Sequence, residues 1–536
     1  MNRRSAGTGL SGGTVIALAA APVAFVAVFF GWPVATIVSL GLSAGGIADV
    51  LSDPGLRRVA WFTLWQATAS TAITLVTAMP AAFVLARYRF AGRRAALAMV
   101  TVPFVLPTVV VGTAFLALLP DRLHGTVWAV LAAHVFFNVA VVVRTVGALW
   151  GHLDPRLEDA ARVLGAPRWR VFTEVTLPLL RPAIAAAASI VFLFTFTSFG
   201  VVLLLGGPRH PTIEVEIFRL TTQMLDLPAS AALAMLQMVF VAALLYWWSR
   251  SQERHSMSLR LQPSSIRRPV RTMREKAMVV GILATTLVFL MLPLARLVER
   301  SFATRHGYGL AFYRALVDGG RGSTADVAPL DSLVVSLRYA ALTAVLGTAL
   351  GVLAACAIAY GRWGGRLLDT GLMLPLGTSA VTVGFGLLIT FDESPLDWRG
   401  RWFIIPIAHT LVATPFVVRA VLPVLRSIEP RLRDAAATLG ASRWATWREV
   451  DVPMVGRSAV VGAGFAFAVS LGEFGATTFL ARTGTPTVPL QIASLLGRPG
   501  ELNTGQAYAL SVILMAVTAA AILAVDRLRA DSESTF

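Results

Sequence analysis

The sequence predicts an all-α, polytopic membrane protein with about twelve transmembrane helices. Composition is the first reason: 56% of the 536 residues are apolar and only 14% are charged, with a mean hydropathy of +0.71. A soluble chain of this size carries roughly a quarter charged residues. Spacing is the second reason, because the apolar residues fall into separate runs of about 20, the length that crosses a bilayer as a helix. Charge placement is the third. The net charge is +17, yet the positive residues sit in short loops between apolar runs, the mark of a cytoplasmic membrane face. They are not gathered into one basic domain, which argues against a nucleic-acid partner. A water-soluble globule, a disordered chain and a fibrous repeat are excluded.

Six spans are expected in each half. The first set lies near 14–40, 58–86, 96–119, 127–149, 184–205 and 228–248. The second lies near 277–298, 332–360, 367–390, 402–425, 458–480 and 505–526. Asn2, Arg3 and Arg4 precede the first run, which is too long for a secretory signal core and reads as a membrane helix. With the N-terminus inside, the cytoplasmic segments collect Arg87, Arg89, Arg93 and Arg94, the stretches 150–182 and 426–457, and the linker arginines from Arg250 to Arg274. Both termini are then cytoplasmic. Cys356 is the single cysteine and lies in an apolar run, so no disulfide or cysteine-based metal site is available.

The two halves are copies of one another. Asp159-Ala160-Ala161, Gly165, Val175 and Pro178 recur 275 residues later as Asp434-Ala435-Ala436, Gly440, Val450 and Pro453. The same offset pairs His134 with His409, Arg144 with Arg419, Phe199-Gly200 with Phe474-Gly475, and Pro211-Thr212 with Pro486-Thr487. Because the same number of spans precedes each signature, the repeats are parallel, related by an axis along the membrane normal. The expected organisation is a first repeat over 1–255, a cytoplasmic linker over 256–275 and a second repeat over 276–536.

Each signature stretch reads as two short cytoplasmic helices. Asp154 can cap the first with Pro155 at its first helical position, and Gly165 stands where a left-handed cap ends it. Pro167 in one copy and Ser442 in the other can start the second helix, and Pro178 breaks the chain before the next span. A helix of small residues ending in glycine suits docking into a groove of another protein. The alternative, an amphipathic helix lying on the membrane surface, lacks the bulky apolar face it would need.

The pattern Asp-Ala-Ala-x-x-x-Gly, nine residues, then Val-x-(Leu/Val)-Pro resembles the EAA loop of permease subunits of bacterial binding-protein-dependent ABC importers. The resemblance covers nearly the whole chain, as two tandem six-helix permease repeats with EAA loops at 154–182 and 429–457. Asp159 and Asp434 stand where glutamate is usual, and Val452 replaces the leucine before the proline. The resemblance implies a coupling helix seated in a cleft of an ATPase subunit, with Asp159, Ala160, Ala161, Gly165, Asp434, Ala435, Ala436 and Gly440 as contact positions. It further implies two copies of that ATPase on the cytoplasmic side, an extracytoplasmic solute-binding protein, and a place in the bacterial inner membrane.

Lys276 is the only lysine, and Arg274 and Glu275 precede it with no glycine-rich turn. The chain therefore lacks a Walker A loop, and neither a zinc-ligand cluster nor a nucleophile–base motif is present. It is expected to be a transport subunit, not an enzyme, with no cofactor of its own and ATP bound by its partners. The reading from another class is an ion-coupled secondary transporter, which would place more ionisable groups in mid-membrane than His134, His409, Glu473 and Asp392.

Glu473, in Ser470-Leu471-Gly472-Glu473-Phe474-Gly475, is costly in lipid and should face the bundle interior. It is either a gate or pathway group or a buried anchor bonded to a neighbouring span. Its counterpart is Ser198, so Ser198, Phe199, Glu473 and Phe474 are the candidate pathway residues. His134 and His409 read as packing histidines. Arg144 and Arg419 read as interface anchors, with a salt bridge to Asp159 or Asp434 as the alternative. Among solutes, the stretch Gly472–Gly475 looks like thiamine, sulfate and molybdate permeases more than ferric ones, and the first-half stretch from Thr197 to Glu214 looks closest to thiamine permeases; ferric iron, a sulfate- or molybdate-like oxyanion and a phosphonate are the alternatives.

Overall fold

The computed structural model describes residues 12–43, 46–255, 267–318, 328–361, 365–392, 396–398, 400–481 and 484–533. Most of the expected linker, 256–266, lies outside the described residues. Among the described residues ten helices are long and apolar enough to span a bilayer, or twelve spans if each of two sharply bent pairs counts as one.

In the first half these helices are α1 (Gly13–Gly41), α2 (Pro54–Arg87), the bent pair α3 (Arg93–Val105) and α4 (Thr108–Leu118), and α5 (Val127–His152). The short α6 (Pro155–Val163) follows, then α7 (Leu177–Phe196), α8 (Gly200–Leu205), α9 (Ile213–Arg219) and α10 (Leu227–His255). The second half repeats the order. It has α11 (Met273–Phe302), α12 (Asp331–Tyr360), the pair α13 (Gly365–Gly377) and α14 (Ala380–Thr390), and α15 (Ile404–Ser427). Then come α16 (Pro430–Thr438), α17 (Val452–Gly472), α18 (Gly475–Leu480), α19 (Val488–Leu496) and α20 (Glu501–Glu533).

Four of the expected spans are not continuous. The run 96–119 turns by 102° between α3 and α4, where Leu106 and Pro107 take extended backbone angles and Pro107 denies the next turn a donor. The run 367–390 turns by 88°, and there the Ser379 hydroxyl caps α14 by accepting from Val381 N at 3.0 Å. The runs 184–205 and 458–480 break after Phe196 and Gly472 and resume as the short α8 and α18. Apolar composition does not reveal such breaks, because a broken span is as apolar as a straight one.

The chain forms two compact units that do not coincide with the sequence repeats. One unit comprises Ala48–Arg219 and Leu236–Gly309. Here α2, α5 and α7 pack together, and α11, which opens the second sequence repeat, lies against α2, α3 and α4. Phe136 on α5 meets Phe289 on α11 at 6.4 Å between ring centroids. The other unit comprises Met1–Ile47, Leu220–Met235 and Leu310–Phe536. In it α12, α15 and α17 form the core, and α1, the first helix of the chain, packs on α12 and α14. Trp32 contacts Phe391 edge-on at 5.7 Å. Each core has therefore taken the opening helix of the other repeat.

Glycine permits a close approach of backbone to backbone within this second unit. A Cβ on Gly384 of α14 would stand 2.6 Å from the Ala476 Cα of α18, so only a glycine lets the two helices meet there. The strands among the described residues form two short ladders. Tyr88–Arg89 (β1) pairs in parallel with Arg268–Pro269 (β2), and Ala303–Thr304 forms a small hairpin with Gly307–Tyr308.

Candidate functional site

The two segments expected to couple share one construction at their C-terminal ends. In the first, the Asp154 carboxylate accepts from Arg156 N at 2.9 Å and caps α6. At the far end Gly165 sits at φ +84°. Gly165 N donates to Arg162 O at 2.9 Å and Ala166 N to Ala161 O at 3.1 Å, the paired bonds of a left-handed helix stop. In the second, Gly440 is also at φ +84°, with Gly440 N to Ala437 O and Ala441 N to Ala436 O both at 3.0 Å. Ser442 caps the following turn by accepting from Ala445 N at 3.2 Å. Glu429, by contrast, makes no side-chain cap on α16.

This stop presents apolar side chains to the surroundings. Asp159, Ala160, Gly165, Asp434, Ala435 and Gly440 are exposed, while Ala161 and Ala436 are half-buried against the body. Leu164 is 87% exposed and Leu439 89%. Val163, Trp169 and Trp444 stand out beside them. Asp159 pairs with Arg162 on its own helix at 2.9 Å. Arg144 and Arg419 make no ion pair with the coupling helices among the described residues, so the alternative of a bridge to Asp159 or Asp434 does not form.

Each coupling helix is instead tied to its unit by a three-residue polar lock that the sequence did not disclose. In the first repeat Arg87, at the end of α2, meets Glu158 of α6 at 2.6 Å. Glu158 also accepts from the Thr176 hydroxyl at 3.0 Å, and Arg87 donates to Leu153 O at 3.3 Å. In the second repeat Arg433 of α16 meets Asp451 at 2.8 Å and donates to the Tyr360 hydroxyl at 3.2 Å. Tyr360, at the end of α12, donates to Asp451 at 2.9 Å. Glu158 and Thr176 fall at the repeat offset from Arg433 and Asp451. Two of the three positions are therefore shared between the locks, with opposite charge on the short helix, while Arg87 and Tyr360 are not counterparts at that offset. Burial works against the Arg433 charge, but the Asp451 carboxylate and the Tyr360 hydroxyl outweigh it and hold the guanidinium above its ordinary pKa.

The candidate pathway residues lie at the breaks after α7 and α17. Ser198 is buried, and its hydroxyl hydrogen-bonds the His134 Nε2 at 2.9 Å, while His134 Nδ1 bonds Ser70 of α2 at 3.1 Å. In the second repeat His409 Nδ1 bonds Ser470 at 2.7 Å and Nε2 bonds Thr477 at 2.8 Å. Ser470 reaches Thr343 of α12 at 3.3 Å. Glu473 is 7% exposed. Its carboxylate accepts from Ala476 N (2.9 Å), Thr477 N (3.0 Å) and the Thr477 hydroxyl (2.6 Å). It also lies 3.2 Å from His409 Nε2. Glu473 thus satisfies the orphan amides at the start of α18, which is the geometry of the anchor reading. Both histidines are buried cross-links between three segments, as the packing reading expected.

Phe199 and Phe474 are buried in their own units, the former 5.7 Å from Phe218. The entries to α9 and α19 repeat as well. Thr63 Oγ1 accepts from Ile213 N at 2.9 Å and Ser336 Oγ from Val488 N at 2.8 Å. In the second unit a cavity of about 600 Å³ opens at the end of α15 away from α16, lined by Tyr339, Asp397, Arg401, Trp402, Leu480 and Thr485 among others.

Comparison with known proteins agrees with this construction. The profile of the family described as "Binding-protein-dependent transport system inner membrane component" matches twice, over residues 75–255 and 347–531. The thiamine transport system permease protein ThiP of Brucella abortus is 27% identical over 534 residues, covering 93% of each chain. ThiP of Salmonella typhimurium is 25% identical over 90% of this chain and 92% of its own. PhnV of Salmonella typhi, a permease protein named for 2-aminoethylphosphonate transport, is 29% identical over 46% of this chain and 94% of its own. A relative of half the length that matches nearly end to end is what a duplicated chain requires. An ion-coupled carrier is set aside by the same findings, which make the chain a transport subunit of an ABC importer served by a binding protein and an ATPase. With two matches that together span more than half of its length, the chain belongs to the family of inner-membrane components of binding-protein-dependent transport systems.

Proposed function

We propose that the protein is the fused permease subunit of a thiamine importer. It forms the translocation pathway for thiamine released by an extracytoplasmic binding protein, and two copies of a separate ATPase drive it. The observation that carries this reading is the full-length similarity to ThiP proteins, 93% of both chains for the Brucella abortus protein. The coupling helices supply the mechanical part. Two rigid, apolar-tipped stubs, each locked to a membrane helix, offer one seat per ATPase copy, with Asp159, Ala160, Ala161, Gly165 and their repeats 434, 435, 436 and 440 at the seat. Closing and opening of the ATPase pair would then move each stub with its whole unit.

On this reading the functional repeats remain 1–255 and 276–536, and both termini and both coupling helices are cytoplasmic. Ser198, Phe199, Glu473 and Phe474 act at the pathway as its supports, holding the short α8 and α18 in place. ATP binds only to the partners. Lys276 lies in the first turn of α11, behind a capping box in which Thr272 and Glu275 close on each other's backbone. That is a helix start with no loop to cradle phosphates.

The test is uptake by proteoliposomes containing the chain, its ATPase and its binding protein. Labelled thiamine should accumulate only with ATP inside the ATPase compartment and with binding protein outside. Phosphonate import is the second reading, favoured by the match of PhnV to one repeat. Uptake of 2-aminoethylphosphonate, ferric iron or molybdate with no thiamine uptake would remove the thiamine assignment and leave the importer class intact.

A further inference from the structure

At the end of the first unit where the short helix α6 lies, the last turns of α2 and α5 and the first turn of α3 line a half-open cavity of about 160 Å³. Its walls are apolar or small: Leu85, Ala86, Leu97, Val143 and three further small residues. Its charged lining is Arg93, Arg144 and Arg267, with His152 beside them, and none of the residues lining it is a carboxylate. Three like charges around one small cavity repel one another, and no ion pair among the described residues relieves them.

The fold puts these arginines there by separate means. Arg93 is oriented by donating its Nε proton to Leu85 O at 2.7 Å. Arg144 projects from α5 two turns before its end. Arg267 comes from the linker and is brought over by the β1–β2 ladder, in which Tyr88 pairs with Arg268. The Arg268 guanidinium also lies over the Tyr88 ring at 5.9 Å. A cavity of this size holds about five waters, at ~30 Å³ each, or a single small oxyanion. Guanidinium groups match phosphate oxygens in a bidentate fork. Basic pockets between membrane helices at the cytoplasmic interface are where acidic lipid headgroups bind.

We propose that this cavity binds a phosphate group, from the head of an acidic phospholipid or from a soluble phosphate, with Arg93, Arg144 and Arg267 as its cationic ring. Occupation offsets part of the repulsion among the three charges and fastens the inter-repeat linker to the ends of α2 and α5. The site is independent of which solute the protein carries.

The experiment uses the full chain in nanodiscs. In mixed phosphatidylglycerol and phosphatidylcholine, native mass spectrometry should find one phosphatidylglycerol retained per chain, at least tenfold over phosphatidylcholine. The triple variant Arg93→Gln/Arg144→Gln/Arg267→Gln should lose this retention, and Arg89→Gln/Arg94→Gln, which removes two nearby charges that do not line the cavity, should keep it. In nanodiscs of phosphatidylcholine alone, inorganic phosphate is the probe, read as a thermal-midpoint shift. A shift in the wild type but not the triple variant, without lipid retention, assigns the site to a soluble phosphate. Arg144→Lys, which keeps the charge but not the fork, should fold and bind at an intermediate level. Undiminished binding by the triple variant in whichever arm the wild type binds, or no selective binding by the wild type in either arm, overturns the proposal.

Discussion

Glu158 and Arg433 occupy the same place in the two repeats, 275 residues apart, and carry opposite charges. Each is the residue by which a coupling helix grips its unit: Glu158 reaches out to Arg87 at 2.6 Å, Arg433 to Asp451 at 2.8 Å. A pair of equivalent handles has thus diverged in its fastening while keeping the same outline.

The locks should not be interchangeable. Glu158→Arg sets two guanidinium groups together at a buried site, and loss of one partner from such a pair costs of order 3 kcal/mol. ATP-driven uptake should fall at least tenfold, with Arg87→Glu/Glu158→Arg recovering a substantial part of it. Arg433→Glu should fail in the same way against Asp451. Recovery measured by uptake per unit of ATP hydrolysed separates a coupling defect from simple loss of protein. Undisturbed coupling in Glu158→Arg would show that the lock has no mechanical role.

Docking should depend on the exposed tips. Leu164→Ser and Leu439→Ser remove apolar groups that touch little within the chain, so the thermal midpoint of the isolated protein should hardly move. Affinity for the ATPase, measured by surface-immobilised binding, should drop at least tenfold for the pair, the usual consequence of losing a central apolar anchor of an interface. Full affinity in the double variant would place the ATPase contact elsewhere.

Two glycines should respond differently to the same change. At Gly165 a Cβ meets nothing within 4 Å, and only the left-handed backbone opposes alanine, at roughly 1–2 kcal/mol. Gly165→Ala should therefore insert and fold, with weakened ATPase binding. At Gly384 the added carbon meets backbone at 2.6 Å, and Gly384→Ala should give little folded protein in size-exclusion chromatography. Equal yields of the two variants would contradict the helix approach described here.

Glu473→Gln should lower stability as well as transport. The carboxylate takes two backbone N–H groups and one hydroxyl, and an amide presents only one accepting oxygen with an N–H₂ turned toward donors. An unsatisfied buried donor costs about 1–3 kcal/mol. Ser198→Ala, at the equivalent position, removes a single bond to His134 and should be milder. A Glu473→Gln protein with an unchanged thermal midpoint and lost uptake would restore the gate reading for that carboxylate.

Particular residues show where sequence reasoning reached and where it stopped. Gly165 and Gly440 were legible as left-handed stops, and Asp154 and Ser442 as caps, because each acts on amides within a few residues of itself. The pairing of Arg87 with Glu158 was not legible, since 71 residues separate them and Arg144 looked the nearer candidate. A signal existed nonetheless: the repeat offset sets Glu158 against Arg433, an apparent mismatch inside an otherwise matching loop. Likewise Ser198 and Glu473 were visible as counterparts, but the bonds they make to His134, His409 and Thr477 were not.

The sequence alone determined the membrane setting, the helical class and the duplication. The bilayer makes that possible, because every backbone polar group in lipid must be satisfied inside its own helix, so length and apolarity of a local segment suffice. Tertiary structure decided which core receives α1 and α11, where two spans bend, and which charges meet. Those outcomes depend on packing between segments far apart in the chain, and lipid-facing and helix-facing apolar surfaces are chemically alike, leaving no mark in composition.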